Sequence, residues 1–320
     1  MTTLAVLENL PPSQQHLFER QHFPSKFGGF PSFLVPQNIP GSLSLNCSTC
    51  SSQMKFLLQL YVPLDDDEHS TAFHRTLYLF ICNTPACQGL STSVKVLRAQ
   101  LPKHNPFYKD SPPISTDQPL SQLPPLCSVC GCLAPLRCSS CKAVWYCCKN
   151  HQVLHWQECH SKECPTFTDE PSLTQQSPSS FCFKQYWIEC EDEPDSDEEV
   201  TIEDKFLSEK DMKDFENVAK VDESLSLFAE FSARISRNSK QIIRYCFDGE
   251  PLWPCPQPNL TVPNCSYCGS KRVFEFQVLP SIIYLGNTDN VDFTSLLIYS
   301  CENSCDCKHE YVEEFVYVLK

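Results

Sequence analysis

A cysteine spacing that occurs twice constrains the fold of this chain more than any other feature. The segment CSTCSSQMKFLLQL at 47–60 recurs as CSYCGSKRVFEFQV at 265–278. In both copies a phenylalanine (Phe56, Phe274) and a glutamine (Gln59, Gln277) lie at the same distances after a Cys-x-x-Cys pair. Each copy then runs through an apolar stretch to two further cysteines. Matched spacing of this kind is typical of an internal duplication.

Each copy predicts one four-ligand zinc site, because structural zinc is held by four tetrahedral ligands and thiolates are favoured among them. The predicted ligands are Cys47, Cys50, Cys82 and Cys87 in the first copy, and Cys265, Cys268, Cys301 and Cys305 in the second. Cys307 is an alternative to Cys305, which better matches the spacing of the first copy. We therefore expect one zinc ion in each half of the chain.

The composition favours metal binding over disulfides. The chain has 22 cysteines in 320 residues, but its start, MTTLAVLENLPPSQQHLFER, lacks the features of a secretory signal. No apolar stretch reaches the roughly 18 residues of a membrane helix, so no membrane partner is expected. We expect a cytoplasmic location, with the nucleus as a second compartment left open, where reduced thiols bind zinc.

The strand signals predict a mainly β fold with minor α. Apolar, β-branched and aromatic runs predict three strands in each half: MKFLLQLYVPL, TLYLFIC and VKVLRAQLP, then RVFEFQVLP, TSLLIYSC and YVEEFVYVL. Sheets this small leave apolar surface uncovered, so we expect the two zinc-clamped halves to pack face to face. One or two amphipathic helices are predicted from the roughly helical spacing of Leu225, Phe228, Phe231, Ile235 and Ile242.

Composition also divides the chain into five segments. Residues 1–110 and 221–320 are the predicted β-rich halves, and 127–164 is a cysteine-dense block between them. Residues 111–126 are rich in proline and serine, which predicts a linker. Residues 165–220 include Glu189–Asp204, with ten carboxylates and no lysine or arginine, which predicts an acidic, largely disordered linker. Two flexible linkers would leave the cysteine-dense block structurally independent.

The cysteine-dense block contains eight potential ligands in four close pairs, enough for two tetrahedral zinc ions. If the pairs interleave, the first site is Cys127, Cys130, Cys147 and His151, and the second is Cys138, Cys141, His160 and Cys164. Cys159 is an alternative to His160. A segment this short cannot bury a core, so metal binding would supply its folding free energy.

The block resembles a MYND zinc finger in its ligand pattern and in Tyr146, Gln152 and Trp156. Most such fingers have cysteine in place of His151 and have the late histidine three residues after the tryptophan, whereas His160 is four residues after it. With FPSKFGGFPSFL, QLPKHNPFY, QIIRY and EFQVLP outside the block, the chain resembles the programmed cell death protein 2 family nearly end to end. Phe33 replaces the tryptophan that is usual in that family.

The resemblance implies a duplicated β-rich fold with an inserted MYND finger. It also implies a role in 40S ribosome biogenesis, as a zinc-binding adaptor or chaperone for one newly made small-subunit ribosomal protein, named S-two in animals and S-five in bacteria. MYND fingers generally bind short proline-containing peptides of co-regulators. A transcriptional co-regulator adaptor that binds proline-rich peptides is therefore the alternative function.

The charge of the chain agrees with a basic protein partner. A formal net charge of −14 opposes binding to a phosphate backbone, so no direct nucleic-acid contact is expected. No phosphate-binding glycine loop, nucleophile elbow or HExxH motif occurs. Each predicted zinc set has four protein ligands, whereas catalytic zinc keeps an open position. We therefore expect no enzymatic activity.

Overall fold

The computed structural model describes residues 2–66, 68–109, 123–164, 179–194 and 223–320. The N-terminal strands are β1 (Thr3–Glu8), β2 (Lys26–Phe27), β3 (Lys55–Tyr61), β4 (His74–Ile81) and β5 (Val94–Leu101). The middle of the chain contributes β6 (Leu136–Arg137), β7 (Trp145–Tyr146) and β8 (Tyr186–Asp192). The C-terminal strands are β9 (Gln241–Tyr245), β10 (Arg272–Val278), β11 (Ser295–Cys301) and β12 (Val312–Leu319).

Helices are short and few in the described ranges. They are α1 (Lys149–His155), a π-helical turn (Trp156–His160), α2 (Ser161–Glu163), α3 (Glu223–Ser236) and α4 (Ser281–Leu285). Single 3₁₀ turns occur at Pro12–Phe18, Arg20–His22, Ser42–Leu45, Ser70–Ala72, Pro85–Cys87 and Ser91–Ser93. The mainly β prediction is confirmed. Among the described residues, no helix combines the length and apolar character that crossing a membrane requires.

Ten antiparallel strands close into one barrel in the order β1-β8-β2-β3-β4-β5-β12-β11-β10-β9. Within it, β3-β4-β5 and β10-β11-β12 are two equivalent three-stranded meanders, and all six strands predicted from the sequence are present. The first strand pair of each meander also has a bulge at the same place, between Phe56 and Leu58 and between Phe274 and Phe276. The duplication seen in the sequence is therefore a structural duplication.

The halves pack together as predicted, and they join edge to edge as well as through their inner faces. β5 pairs with β12, with Arg98 opposite Val312, and β1 pairs with β9. Edge strands carry unpaired backbone groups, and closing the barrel satisfies them. The inner faces then meet across the barrel, where Leu79, Phe276 and Ile298 belong to one buried apolar core.

The prediction of a disordered linker over 165–220 is wrong for residues 179–194. Strand β8 lies between β1 and β2, and Ile188 is buried against the barrel core while Glu189 and Glu191 face solvent. Backbone pairing with β1 along the acidic residues, and with β2 at Tyr186 and Trp187, outweighs the charge repulsion, because the carboxylates remain hydrated. The rest of Glu189–Asp204, from residue 195, lies outside the described residues.

The start of the acidic run is also held by side chains. Glu193 accepts hydrogen bonds from Arg234 at 2.7 Å and Arg244 at 2.6 Å. Burial would raise the pKa of Glu193, but these two guanidinium groups outweigh it and lower the pKa to about 2. The predicted helical segment is present as α3, but Ile242 belongs to strand β9, where it is completely buried between β1 and β10.

Candidate metal centres

The structure brings the sixteen predicted ligands together as four separate sets. In each set the ligand atoms all lie within 4.8 Å of one another. The sets are Cys47, Cys50, Cys82 and Cys87; Cys127, Cys130, Cys147 and His151; Cys138, Cys141, His160 and Cys164; and Cys265, Cys268, Cys301 and Cys305. Neither alternative ligand, Cys307 or Cys159, belongs to a four-ligand set. All 22 cysteines are free of disulfides.

All four Cys-x-x-Cys pairs fold into the same turn. The residue after the second cysteine has a positive φ and donates its backbone N–H to the carbonyl of the first cysteine at 2.8–3.1 Å. These residues are Ser51, Gly131, Lys142 and Gly269. The turn places both thiols on the same side. A short local segment therefore positions two of the four ligands of each site. The other half comes from a strand end or from the finger helix.

The first-copy site, here called the N-terminal site, lies at the end of strand β4. Cys82 follows that strand, and its Sγ is 3.6 Å from the Sγ of Cys50. The hydroxyl of Thr84 lies 3.5 Å from Cys50 Sγ, and its hydrogen bond together with those from Ser52 lowers the pKa of Cys50 to about 5. The thiolate is the form that binds metal, so the polar surroundings favour the required charge state.

The second-copy site, the C-terminal site, has the same layout at the end of strand β11. The Sγ of Cys268 is 3.5 Å from that of Cys301, and Cys265 and Cys305 are 3.9 Å apart. Burial raises the pKa of Cys268, but hydrogen bonds from Ser270 contribute to an opposing effect that lowers it to about 6.

A basic residue from the other half supports the C-terminal site. Arg98, on strand β5, donates to the carbonyl of Cys305 at 3.1 Å and approaches its Sγ at 3.5 Å. Groups that surround metal ligands orient them and tune their charge. Nothing in the sequence indicated this contact, because 207 positions separate the two residues.

The first finger site lies against the barrel. Its His151 Nδ1 is 3.1 Å from Cys147 Sγ and 3.6 Å from Cys127 Sγ. The side-chain amide of Gln53, from the N-terminal half, lies 3.4 Å from Cys130 Sγ and 3.2 Å from Cys147 Sγ. Gln53 is a second site residue that the sequence did not reveal, because its contacts depend on how the finger docks.

The second finger site lies where α1 gives way to a π-helical turn. His160 Nε2 is 3.4 Å from Cys138 Sγ and 3.6 Å from Cys141 Sγ. The π turn spans Trp156–His160. A π turn accommodates one residue more than an α turn. It thus absorbs the extra residue between Trp156 and the late histidine and still brings the imidazole to the site.

These distances suit tetrahedral zinc. With Zn–S near 2.3 Å and Zn–N near 2.0–2.1 Å, ligands of a tetrahedral ion lie about 3.8 Å apart for two sulfurs and about 3.6 Å for sulfur and nitrogen. The sulfur pairs here lie at 3.5–3.9 Å and the sulfur–nitrogen pairs at 3.1–3.6 Å. Thiolate and imidazole are donors that zinc prefers. The four sets therefore fit zinc in both chemistry and geometry.

The duplicated glutamines make equivalent hydrogen bonds in the two repeats. Gln59 accepts a hydrogen bond from the backbone N–H of Ser32 at 2.8 Å, and Gln277 accepts one from Leu252 at 3.0 Å. Each side-chain NH₂ also contacts the carbonyl of that same residue, at 3.4 and 3.0 Å. Both glutamines thus hold a Pro-x-aromatic loop against their strand, which explains their matched position after the Cys-x-x-Cys pair.

The finger is docked on the N-terminal half, so the prediction of an independent block is wrong. Buried residues of both, including Leu34, Leu45, Val129 and Tyr146, form one apolar core. Leu133 donates its N–H to Pro40 at 3.2 Å across the junction. A Cβ on Gly131 would lie 2.8 Å from Phe30, so the backbones approach as closely as glycine allows. Pro125 and Leu126, assigned to the linker, pair with the finger.

Family comparisons cover most of the chain. The family model for the programmed cell death protein 2 N-terminal domain matches residues 2–115, and the model for the C-terminal domain of the same protein matches residues 226–320. The MYND finger model matches residues 127–164. The matched segments therefore coincide with the two halves and the finger.

Whole-chain relatives agree with these matches. Programmed cell death protein 2 is 35% identical in Rattus norvegicus and 36% in Bos taurus, in each case over 93% of this chain and 91% of the relative. A Schizosaccharomyces pombe protein, probable 20S rRNA accumulation protein 4, is 22% identical over the same shares of the two chains. No solved structure matches the chain. On its matched domains and relatives, this chain belongs to the programmed cell death protein 2 family.

Proposed function

We propose that this chain is a zinc-dependent adaptor that acts as a chaperone for a newly made, basic small-subunit ribosomal protein during 40S ribosome biogenesis. It works by binding, without catalysis, in the cytoplasm and also in the nucleus. Its contact with the ribosomal protein replaces contacts that ribosomal RNA provides later. The protein itself binds no nucleic acid or membrane directly.

Two comparisons support a role in ribosome biogenesis. The chain belongs to the programmed cell death protein 2 family along nearly its whole length. The fission yeast relative, which matches over 91% of its own length, is named for the accumulation of 20S rRNA. The ribosomal protein client is a finer proposal, for which the name of that relative gives only the general process.

The proposal rests on an acidic surface of strand β8, here called the rim, on a protein that is acidic as a whole. The net charge is −14, and Glu189, Glu191 and Asp192 are exposed on the second half of strand β8, which pairs with β1. Carboxylates on a rigid strand keep their spacing, so a basic partner meets a prepared surface and orders little of it on binding. Trp187, at the start of this rim, adds a half-buried aromatic ring.

We further propose four structural zinc ions, two in the finger and one in each β half. Each set supplies four protein ligands, which leaves no coordination position for a substrate. Elemental analysis of gently purified protein is expected to give four zinc ions per chain. Two or fewer would contradict zinc binding in the β halves.

Client binding can be tested with the rim carboxylates. Purified full-length chain is titrated with small-subunit ribosomal protein S-two at several salt concentrations. We expect Glu189→Gln with Glu191→Gln to weaken binding by roughly fivefold and to reduce its salt dependence, because exposed ion pairs contribute about 0.2–1 kcal/mol each. Glutamine preserves the side-chain shape and the hydrogen bond from Asn238 to residue 191.

A matched control removes two negative charges elsewhere. Asp65 and Glu68 are also exposed, but lie in the loop before β4. Asp65→Asn with Glu68→Gln is expected to leave binding nearly unchanged. If both double variants lose the same affinity, the binding depends on net charge and not on the rim. If the unmodified chain does not bind the ribosomal protein, the client proposal is wrong.

A second candidate function rests on the finger helix. Val153 and Trp156 are 45% and 48% exposed on neighbouring turns, so two large apolar side chains lie close together on the helix surface. This surface favours an adaptor that binds proline-rich peptides of transcriptional co-regulators, and it is compatible with the chaperone role. Immobilised proline-rich peptides should retain the unmodified chain and release the Trp156→Ala variant. Retention of both proteins would show that the peptides do not bind at this surface.

A further inference from the structure

Three side chains on the finger helix form a cluster that the four metal sets do not use. His155, Cys159 and Glu163 are four residues apart, so they lie above one another on one face of the helix. Their ligand atoms all lie within 4.8 Å of one another. His155 and Cys159 are half-buried and Glu163 is exposed, so the cluster opens to solvent.

The cluster lies beside the second finger site without sharing a ligand with it. The rings of His155 and His160 stack with centroids 5.2 Å apart and planes inclined by 6°. His160 turns its Nε2 towards Cys138 and Cys141, on the far side from the cluster. Adjacent residues of a helix point in different directions, so Cys159 belongs to the cluster while His160 belongs to the second finger site.

A buried hydroxyl orients His155. The phenol oxygen of Tyr146 lies 3.0 Å from His155 Nδ1, and Tyr146 is completely buried. When Nδ1 carries the proton and donates it to this oxygen, Nε2 has its lone pair available. Histidines that bind metals are usually held in this way, with the other ring nitrogen hydrogen-bonded to the protein.

The donor set also has a definite chemistry. Imidazole, thiol and carboxylate side chains all bind zinc, the thiol after loss of its proton to the solvent. Glu158, the other carboxylate on this part of the helix, is hydrogen-bonded to the backbone N–H of Ser180 at 3.3 Å. It is therefore engaged away from the cluster.

We propose that His155, Cys159 and Glu163 form a fifth metal site, open and accessible, for a divalent zinc-type cation. Three protein ligands leave one tetrahedral position for water or for a donor atom of a partner. The site therefore binds more weakly than the four closed sets and exchanges its cation while they stay loaded. It is distinct from the structural sites in its ligands, its exposure and its expected affinity.

Cobalt(II) is the probe for this site. Full-length protein is treated briefly with a mild chelator that leaves the tightly held zinc in place, and is then titrated with Co²⁺. We expect one added Co²⁺ per chain and the near-ultraviolet absorption of a thiolate–cobalt bond. Cys159→Ser should remove that absorption, and Glu163→Gln should weaken Co²⁺ binding at least about tenfold, since even indirect metal contacts are worth that much.

Two variants serve as matched controls. Cys190→Ser removes an exposed thiol outside every cluster, and Glu158→Gln removes a carboxylate on the same helical segment. Both should bind Co²⁺ like the unmodified chain. The proposal is overturned if the unmodified chain binds no added Co²⁺, or if Cys159→Ser keeps the thiolate absorption. Loss of tightly held zinc from Cys159→Ser would also overturn it, because Cys159 would then be a ligand of the second finger site.

Discussion

The two repeats share their metal turn, their bulge and their glutamine, yet differ in what the bulge presents to the interior. The bulged residue is Leu57 in the first repeat and Glu275 in the second, and both are completely buried. Leu57 joins the apolar core, whereas Glu275 pairs with Arg75 from the other half, with Nη2 and Oε2 2.8 Å apart. The duplicated backbone thus accepts either an apolar or a charged side chain at the same place.

The outer faces differ as well. The outer face of the first repeat is covered by the finger, with which it shares a core. The outer face of the second has a smaller cluster, Phe274, Leu297 and Tyr299, packed under the Trp253 loop. Metal geometry constrains the ligand turn strongly and the outer face weakly, so the two copies keep the former and diverge in the latter.

The largest expected effect is the loss of a repeat's zinc site through Cys50→Ser or Cys268→Ser. A structural zinc ion contributes on the order of 10 kcal/mol, comparable to the whole stability of a domain. Because the halves share strand pairs and Arg98 reaches the C-terminal site, either variant should unfold both halves in one transition. Circular dichroism with zinc analysis measures this, with Cys190→Ser as control. A stable half in either variant would show that the repeats fold separately.

The next prediction compares the two ends of the finger. Cys130 is buried in the core shared with the barrel, whereas Cys141 is half-buried at the second finger site. Cys130→Ser should therefore increase hydrogen exchange in β3 and β4, while Cys141→Ser should increase it mainly within 136–164. Equal exchange in β3 and β4 for both variants would mean that docking does not depend on which finger site is intact.

A smaller effect is expected at the buried ion pair in the second bulge. Glu275→Gln leaves the Arg75 guanidinium buried without its charge partner, so we expect a loss of about 3–5 kcal/mol in the free energy of unfolding. Replacing both, as Arg75→Met with Glu275→Leu, should recover most of it and make the second bulge resemble the first. Denaturant unfolding gives these values.

The surface pair of Glu302 with Lys271, at 3.2 Å, is the control for that prediction. Glu302→Gln should cost less than about 1 kcal/mol, because exposed pairs are hydrated in both states. A loss for Glu275→Gln as small as this would mean that the buried pair contributes little to joining the halves.

The last prediction concerns the pH dependence of stability. Lys26, on β2 of the first half, is buried, and burial lowers its pKa to about 7 while Cys182 acts in the opposite direction. The unfolded chain, with an ordinary lysine pKa near 10.5, binds one more proton between these values, so stability rises with pH from about 7 to 10.5. Lys26→Met should remove that rise. The exposed Lys240→Met should keep it in denaturant titrations at pH 7.5, 8.5 and 9.5.

Strands and ligands differ in how directly they could be predicted. The six meander strands followed from apolar runs because each pattern is local. Strand β8 did not, because three of its seven residues are carboxylates that open the acidic run, and only pairing with β1 and β2 makes it a strand. Ile242 continued a helical pattern by spacing alone, yet barrel closure requires a buried strand at that point.

The sequence by itself determined the four ligand groupings, the duplication and the strands of the two meanders. These features depend on the spacing of residues within short segments. Strand geometry and tetrahedral zinc coordination then determine the local structure. Only the tertiary structure decided the edge-to-edge closure of the barrel, the docking of the finger and the contacts of Gln53, Arg98 and Glu275. Several of those features join positions two hundred or more residues apart, and their free energy comes from burial and strand pairing that no local pattern encodes.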